Sequence, residues 1–204
     1  MLPNEEEKKD PRVKRTRQSI EQAFLNLMTE KGFQALSVQD ITEHAGINRA
    51  TFYAHFPDKY DLLDHFIRKE FHQLVENRML NACQFSLVNL RSLIIAVCEF
   101  VDNAQGRCSM TEKQFRLLVA SQVRTQVNTL ILHWLGNTGP EDEQTVMHER
   151  AATASSWAIY GLATKWSQSK RVPPVEQYAD EVLPLIAANL SFNTEPDRVL
   201  QISA

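Results

Sequence analysis

No stretch of these 204 residues approaches the about 20 uninterrupted apolar residues that a helix needs to span a bilayer. The opening residues, MLPNEEEKKD, carry no hydrophobic segment of the kind that directs secretion. The sequence therefore predicts a soluble, cytoplasmic protein with no membrane partner. Cysteine is scarce as well. Cys83, Cys98 and Cys108 form no CxxC pair and cannot all pair within one chain, so they read as reduced core thiols rather than as a disulfide framework. A glycine-rich phosphate loop, a GxSxG elbow and an HExxH pair are all missing. Asp61, His65, His72 and Glu76 fall on or near one helical face, but without a Cys/His cluster they read as polar residues of a half-exposed helix. The sequence predicts no enzyme, no metal site and no cofactor. Strand alternation, internal repeats and low-complexity segments are lacking too, which leaves an all-α chain.

What the chain does contain is concentrated in residues 37 to 59, SVQDITEHAGINRATFYAHFPDK. Ser37 is placed to cap a helix with Asp40 reaching back, and Val38, Ile41 and Ala45 supply its inward face. Gly46 ends that helix, since glycine enters the left-handed region without a Cβ clash. Asn48 caps a second helix, with Ile47 before it and Phe52 inside it spaced as a hydrophobic staple. Phe52 and Phe56 point inward; Ala50 and Ala54 lie opposite, flanked by Arg49 and Tyr53 on one side and by Thr51 and His55 on the other. Small residues at the centre of that outer face let a backbone approach DNA bases, and the polar residues around them supply donors for base edges and phosphates. The pair reads as a helix-turn-helix.

Upstream, Asp10 and Pro11 begin a helix whose inward residues are Ile20, Ala23, Phe24, Leu27 and Met28, with Gly32 ending it. Arg12, Lys14, Arg15 and Arg17 cluster in its first turns. Residues 12 to 60 hold seven basic and five acidic side chains, whereas residues 61 to 204 hold thirteen and sixteen. The formal charge of −3 thus hides a mildly basic head on a mildly acidic body, the footprint expected for phosphate contact. Residues 1–10 form a polar tail, 11–58 the head, and 59–204 a helical body with breaks at Gly106, at Gly136 to Pro140 and at Pro173-Pro174.

The body reads as helices over about 59–80, 86–103, 111–135 (bent or divided near Ser121), 141–169 and from Pro173 or Pro174 to about Phe192. Small residues Ala151, Ala154, Ser155, Ala158 and Gly161 make a stripe that a second helix can approach closely. The last helix carries Tyr178, Val182, Leu185, Ile186 and Leu190 on one face and Pro184 as a kink. Two such helices per subunit would build a four-helix interface about a two-fold axis. Two heads so paired would read half-sites about 34 to 36 Å apart.

The segment TFYAHFPDKYDLL, preceded by SVQDITEHAGINR, resembles the DNA-binding domain of TetR-family transcriptional regulators. The resemblance covers Arg12 to Leu63 and, through length and helical pattern alone, the remainder. It implies an N-terminal three-helix helix-turn-helix domain followed by a helical ligand-binding and dimerisation domain, acting as a homodimeric repressor of an operator in double-stranded DNA. Position by position it implies that Gln39 reads bases, that Asn48, Arg49, Ala50 and Thr51 form the base-facing start of the recognition helix, and that Tyr53, His55 and Lys59 clamp phosphates. It also implies a small-molecule effector within the body. The aromatic and polar residues available to line its pocket are Cys98, Phe100, Phe115, Leu118, His133, Trp134, Trp157, Tyr160 and Trp166. The competing reading is an architectural or protein-binding helical dimer that touches DNA without reading sequence.

Overall fold

A computed structural model describes residues 10–78, 85–107, 113–136 and 143–190. Every regular element among them is a helix: α1 (Pro11–Ala35), α2 (Val38–Ala45), α3 (Arg49–His55), α4 (Lys59–Arg78), α5 (Leu87–Arg107), α6 (Lys113–Trp134), α7 (Glu143–Gln168) and α8 (Val175–Leu190). None is long and apolar enough to cross a membrane. The chain divides into two compact units, one covering Met1–Glu70 with Asn103–Gln122, the other Phe71–Asp102 with Val123–Ala204.

The first unit contains the head. Asp10 caps α1 by accepting from the Arg12 amide at 2.9 Å, and Pro11 fills the first helical position, where its missing N–H costs nothing. Gly32 breaks the helical backbone at φ +76°, ψ 165°, although helical hydrogen bonding resumes beyond it to Ala35. The inward residues expected of α1 are all buried, and they meet Ile41 of α2, Phe52 of α3, Phe56 just beyond it and Leu62 and Leu63 of α4 in one apolar core. Phe24 packs edge-on to Phe33 and Phe66, and Phe33 edge-on to Tyr60. Emptying such a site, as Phe52→Ala would, costs about 3–5 kcal/mol in lost transfer free energy and cavity.

The second unit is built on Leu90, Leu93, Ile94 and Val97 of α5, Val123, Val127 and Ile131 of α6, Ile159, Ala163 and Trp166 of α7, and Val182 and Ile186 of α8. Arg91 grips Asp180 with two parallel hydrogen bonds of 2.5 and 2.9 Å, tying α5 to α8. Asp102 accepts from Ser167 at 3.1 Å and pairs with Arg171 at 2.8 Å.

Several expectations are corrected here. The helix over α5 runs through Gly106 to Arg107 instead of breaking there, and α6 is continuous across Ser121. The small-residue stripe is split by the rotation of α7: Ala151 and Ser155 are buried, while Ala154 and Gly161 are exposed. On α8, Val182, Ile186 and Leu190 are buried, but Leu185, at the flank of that face, is 64% exposed. Cys83, Cys108, residues 1–9 of the polar tail and the chain beyond Leu190 lie outside the described residues.

Candidate nucleic-acid interface

The two helices of the motif are fixed by their ends. Ser37 Oγ accepts from the Asp40 amide at 3.2 Å, and Asp40 Oδ2 accepts from the Ser37 amide at 2.8 Å, closing a capping box. Lys31 pairs with Asp40 at 2.7 Å. Hydrogen bonding from Lys31 and Ser37 holds the Asp40 carboxyl well below the usual carboxylate range. Gly46 takes φ +66°, ψ 34° and donates to Glu43 and Thr42 carbonyls, so a left-handed residue both ends α2 and sets the turn. Asn48 then accepts from the Thr51 amide at 2.7 Å to cap α3.

With Phe52 fully buried and Phe56 2% exposed, the outer face of α3 is turned to solvent. Asn48, Arg49, Ala50, Tyr53 and Ala54 are exposed, and Thr51 and His55 are half-buried. Gln39, on α2, is also exposed and joins this surface directly: Arg49 donates to Gln39 Oε1 at 2.6 Å, and Gln39 Nε2 donates to Glu43 Oε1 at 2.8 Å. Glu43 did not stand out in the sequence, yet the i, i+4 spacing from Gln39 on an exposed helix was the available signal.

Lys59 has different partners from those the sequence implied. Its ammonium donates to the carbonyls of Phe33, Gln34 and Leu36 at 3.1, 3.4 and 2.8 Å, and lies 4.7 Å from the centre of the Phe33 ring. Carbonyls at a helix C-terminus lack intrahelical partners and carry the negative end of the dipole, which makes them a natural seat for a cation. Lys59 thereby holds the end of α1 to the start of α4. Asp58 supplies the cap of α4, accepting from the Tyr60 and Asp61 amides at 2.7 and 2.9 Å.

A second polar cluster braces the head from behind. Arg17 lies 5.0 Å above the Phe56 ring and 3.0 Å from His65 Nδ1. His65 Nε2 is 2.9 Å from Glu21 Oε1, and Lys69 is 2.5 Å from Glu21 Oε2. Burial raises the Glu21 pKa, but the hydrogen bonds and charges of His65 and Lys69 outweigh it and leave the carboxyl below its usual value. His65 is engaged with Glu21, and His72 pairs with Glu76 at 3.7 Å. Among the described residues no three His, Cys, Asp or Glu side chains are grouped to hold a metal ion.

The residues expected to line an effector pocket are divided between the two units. Phe115 and Leu118 belong to the first unit, and the other seven to the second. Trp157 is 58% exposed, with the Arg124 guanidinium stacked 3.8 Å above its ring, because its turn of α7 faces away from the core. His133 is exposed as well. Within the second unit Cys98, Trp134 and Trp166 are buried, and Phe100 and Tyr160 are half-buried. Trp166 Nε1 donates to the Pro173 carbonyl at 2.8 Å, and burial pushes the Cys98 thiol up to about 12. The buried Ser155 hydroxyl has no hydrogen-bond partner among the described residues.

Residues 22–66 match the family described as bacterial regulatory proteins, tetR family. Over 80 residues the chain is 36% identical to an uncharacterized HTH-type transcriptional regulator, YxbF, of Bacillus subtilis, covering 37% of this chain and 21% of that protein. Over 62 residues it is 34% identical to DhaS of Lactococcus lactis, a transcriptional activator of the dhaKLM operon, covering 30% of this chain and 33% of DhaS. The matches thus span about a fifth and a third of these relatives' lengths. In three dimensions the chain is similar to a TetR-family regulator from Streptomyces coelicolor A3, with a TM-score of 0.54 at 19% identity over 88% of this chain and 98% of the other. All three are named as transcriptional regulators or activators.

Proposed function

We propose that this chain is a TetR-family transcriptional regulator that binds a near-palindromic operator as a homodimer and answers to a small-molecule effector. The observation that carries DNA reading is the exposed surface shared by α2 and α3, where Gln39, Arg49 and Tyr53 stand out from two helices capped into one fixed angle. Arg49 and the start of α3 read base edges; Tyr53, His55 and the exposed Arg12, Lys14 and Arg15 of α1 contact phosphates. The most direct test is selection of bound duplexes from a random pool at near-physiological salt. A palindromic motif supports the reading. Binding that falls with salt equally on every sequence, with no motif, supports an architectural protein instead.

Dimerisation rests on an exposed apolar stripe of α7 and α8. Ala154, Trp157 and Gly161 follow one another at helical spacing on α7, and Leu185 and Ala188 on α8. A Cβ added at Gly161 would meet nothing within 4 Å, so space for a partner helix is open there. Effector binding rests on the second unit, where the unpaired Ser155 hydroxyl is a buried polar group that a ligand would satisfy. An effector that favours one arrangement of α4 with a coupling of about 1–3 kcal/mol would change operator affinity about 5- to 150-fold. We read the output as repression. The likeness to DhaS, named as an activator, favours the opposite sign, and a reporter placed behind the selected operator decides between them.

A further inference from the structure

The amide of Gln39 has both ends engaged. Its Nε2 donates to Glu43 Oε1 at 2.8 Å, and its Oε1 accepts from Arg49 at 2.6 Å. A carboxylate only accepts and a guanidinium only donates, so each end of the amide has one permitted neighbour. Flipping the amide would set oxygen against carboxylate and NH2 against guanidinium, losing both bonds. Glu43 therefore fixes which way Gln39 points, and Gln39 fixes where the Arg49 fork lies. All three side chains are exposed on the surface that the motif turns outward. With both ends committed, Gln39 is not arranged for the two-pronged contact to adenine. Arg49 has further N–H donors beyond the one used, in the fork geometry that matches O6 and N7 of guanine.

We propose that Glu43 is a specificity-positioning residue, which through Gln39 aims Arg49 at a guanine of the operator. This rests on the regulator reading above and assigns one base to it. The charge of Glu43 sets its role apart from that of an affinity residue, because a carboxylate beside DNA opposes the phosphates. Removing that charge should leave binding to competitor DNA undiminished while loosening the choice of base. A residue needed only for the fold would weaken both together.

The test is selection from random duplexes by the full chain as wild type, R49A, E43Q and E43A, each shown folded by its thermal melt, with affinity for competitor DNA measured alongside. The wild type is expected to select guanine at one position of each half-site, and R49A to lose about 5- to 150-fold of that discrimination. E43Q and E43A should lose several-fold at that same position, with other positions and competitor affinity unchanged or stronger. Full guanine preference in both Glu43 variants overturns the proposal, as does adenine at the Arg49-dependent position or an equal loss on all sequences. A wild type that selects no motif overturns the regulator reading itself, a result distinct from these.

Discussion

Arg49 of α3 donates to Gln39 of α2 across 2.6 Å, so the arginine is held by its neighbour before any DNA is present. The bond joins the helices on their outer side, while Ile41 and Phe52 are buried on the inner side. Holding a long side chain in place in advance lowers the ordering entropy lost on binding. Arg49→Lys keeps the charge but replaces a planar fork with a flexible point charge. The expected result is a motif weakened at one position by about 1–3 kcal/mol, with binding to non-operator DNA nearly unchanged. Comparative binding to the operator and to a single-base variant measures this, and an unaltered preference counts against direct reading by Arg49.

Lys59 separates folding from DNA contact. Its three carbonyl partners predict that Lys59→Met lowers stability by about 1–2 kcal/mol, the scale of charged hydrogen bonds discounted for partial exposure. Denaturant titration reads that loss directly. A phosphate contact would instead reduce the slope of log affinity against log salt by about 0.9. A changed slope with an unchanged denaturation midpoint would return Lys59 to the phosphates.

The head was legible because its signals are local. Ser37, Asp40, Gly46 and Asn48 act within four residues of themselves, and the structure uses each as a cap or turn. The destination of Lys59 was not legible, since the carbonyls it meets lie 23 to 26 residues away in sequence. In the body, periodicity located helices but not their rotation. Val182, Leu185 and Ile186 share an apolar pattern, and only the packing of α8 decides that Leu185 is the one left outside. Aromatic residues were equally ambiguous: Trp166 is core and Trp157 is surface, though both lie on α7.

Glu21 gives the head an acid-sensitive brace. Its native pKa lies below the ordinary 4.5, so its contribution to stability is complete above that value and is lost as pH falls through the lowered native pKa. Glu21→Gln removes this dependence. Urea midpoints measured from neutral pH downward should therefore fall more steeply for the wild type than for the variant below pH 4.5. Parallel curves would mean that His65 and Lys69 do not stabilise the carboxylate.

Leu185 and Trp157 test the interface without disturbing the core. Leu185 is 64% and Trp157 58% exposed, so neither Leu185→Glu nor Trp157→Ala empties a buried site. In a monomer Leu185→Glu should alter stability by no more than about 0.5 kcal/mol, and Trp157→Ala should cost about 0.5–1 kcal/mol through the lost Arg124 stack. In a dimer they fall on the stripe formed by Ala154, Gly161 and Ala188. A buried, unpaired carboxylate from each subunit would then oppose association, and lost aromatic contact would weaken it further. Analytical ultracentrifugation is expected to show a wild-type dimer, dissociation of Leu185→Glu at micromolar concentration and a smaller shift for Trp157→Ala. Operator affinity should fall with the dimer, because a single head contacts one half-site and forfeits the effective concentration that the second supplies. Two variants that remain fully dimeric would place the subunit contact on another surface of the chain.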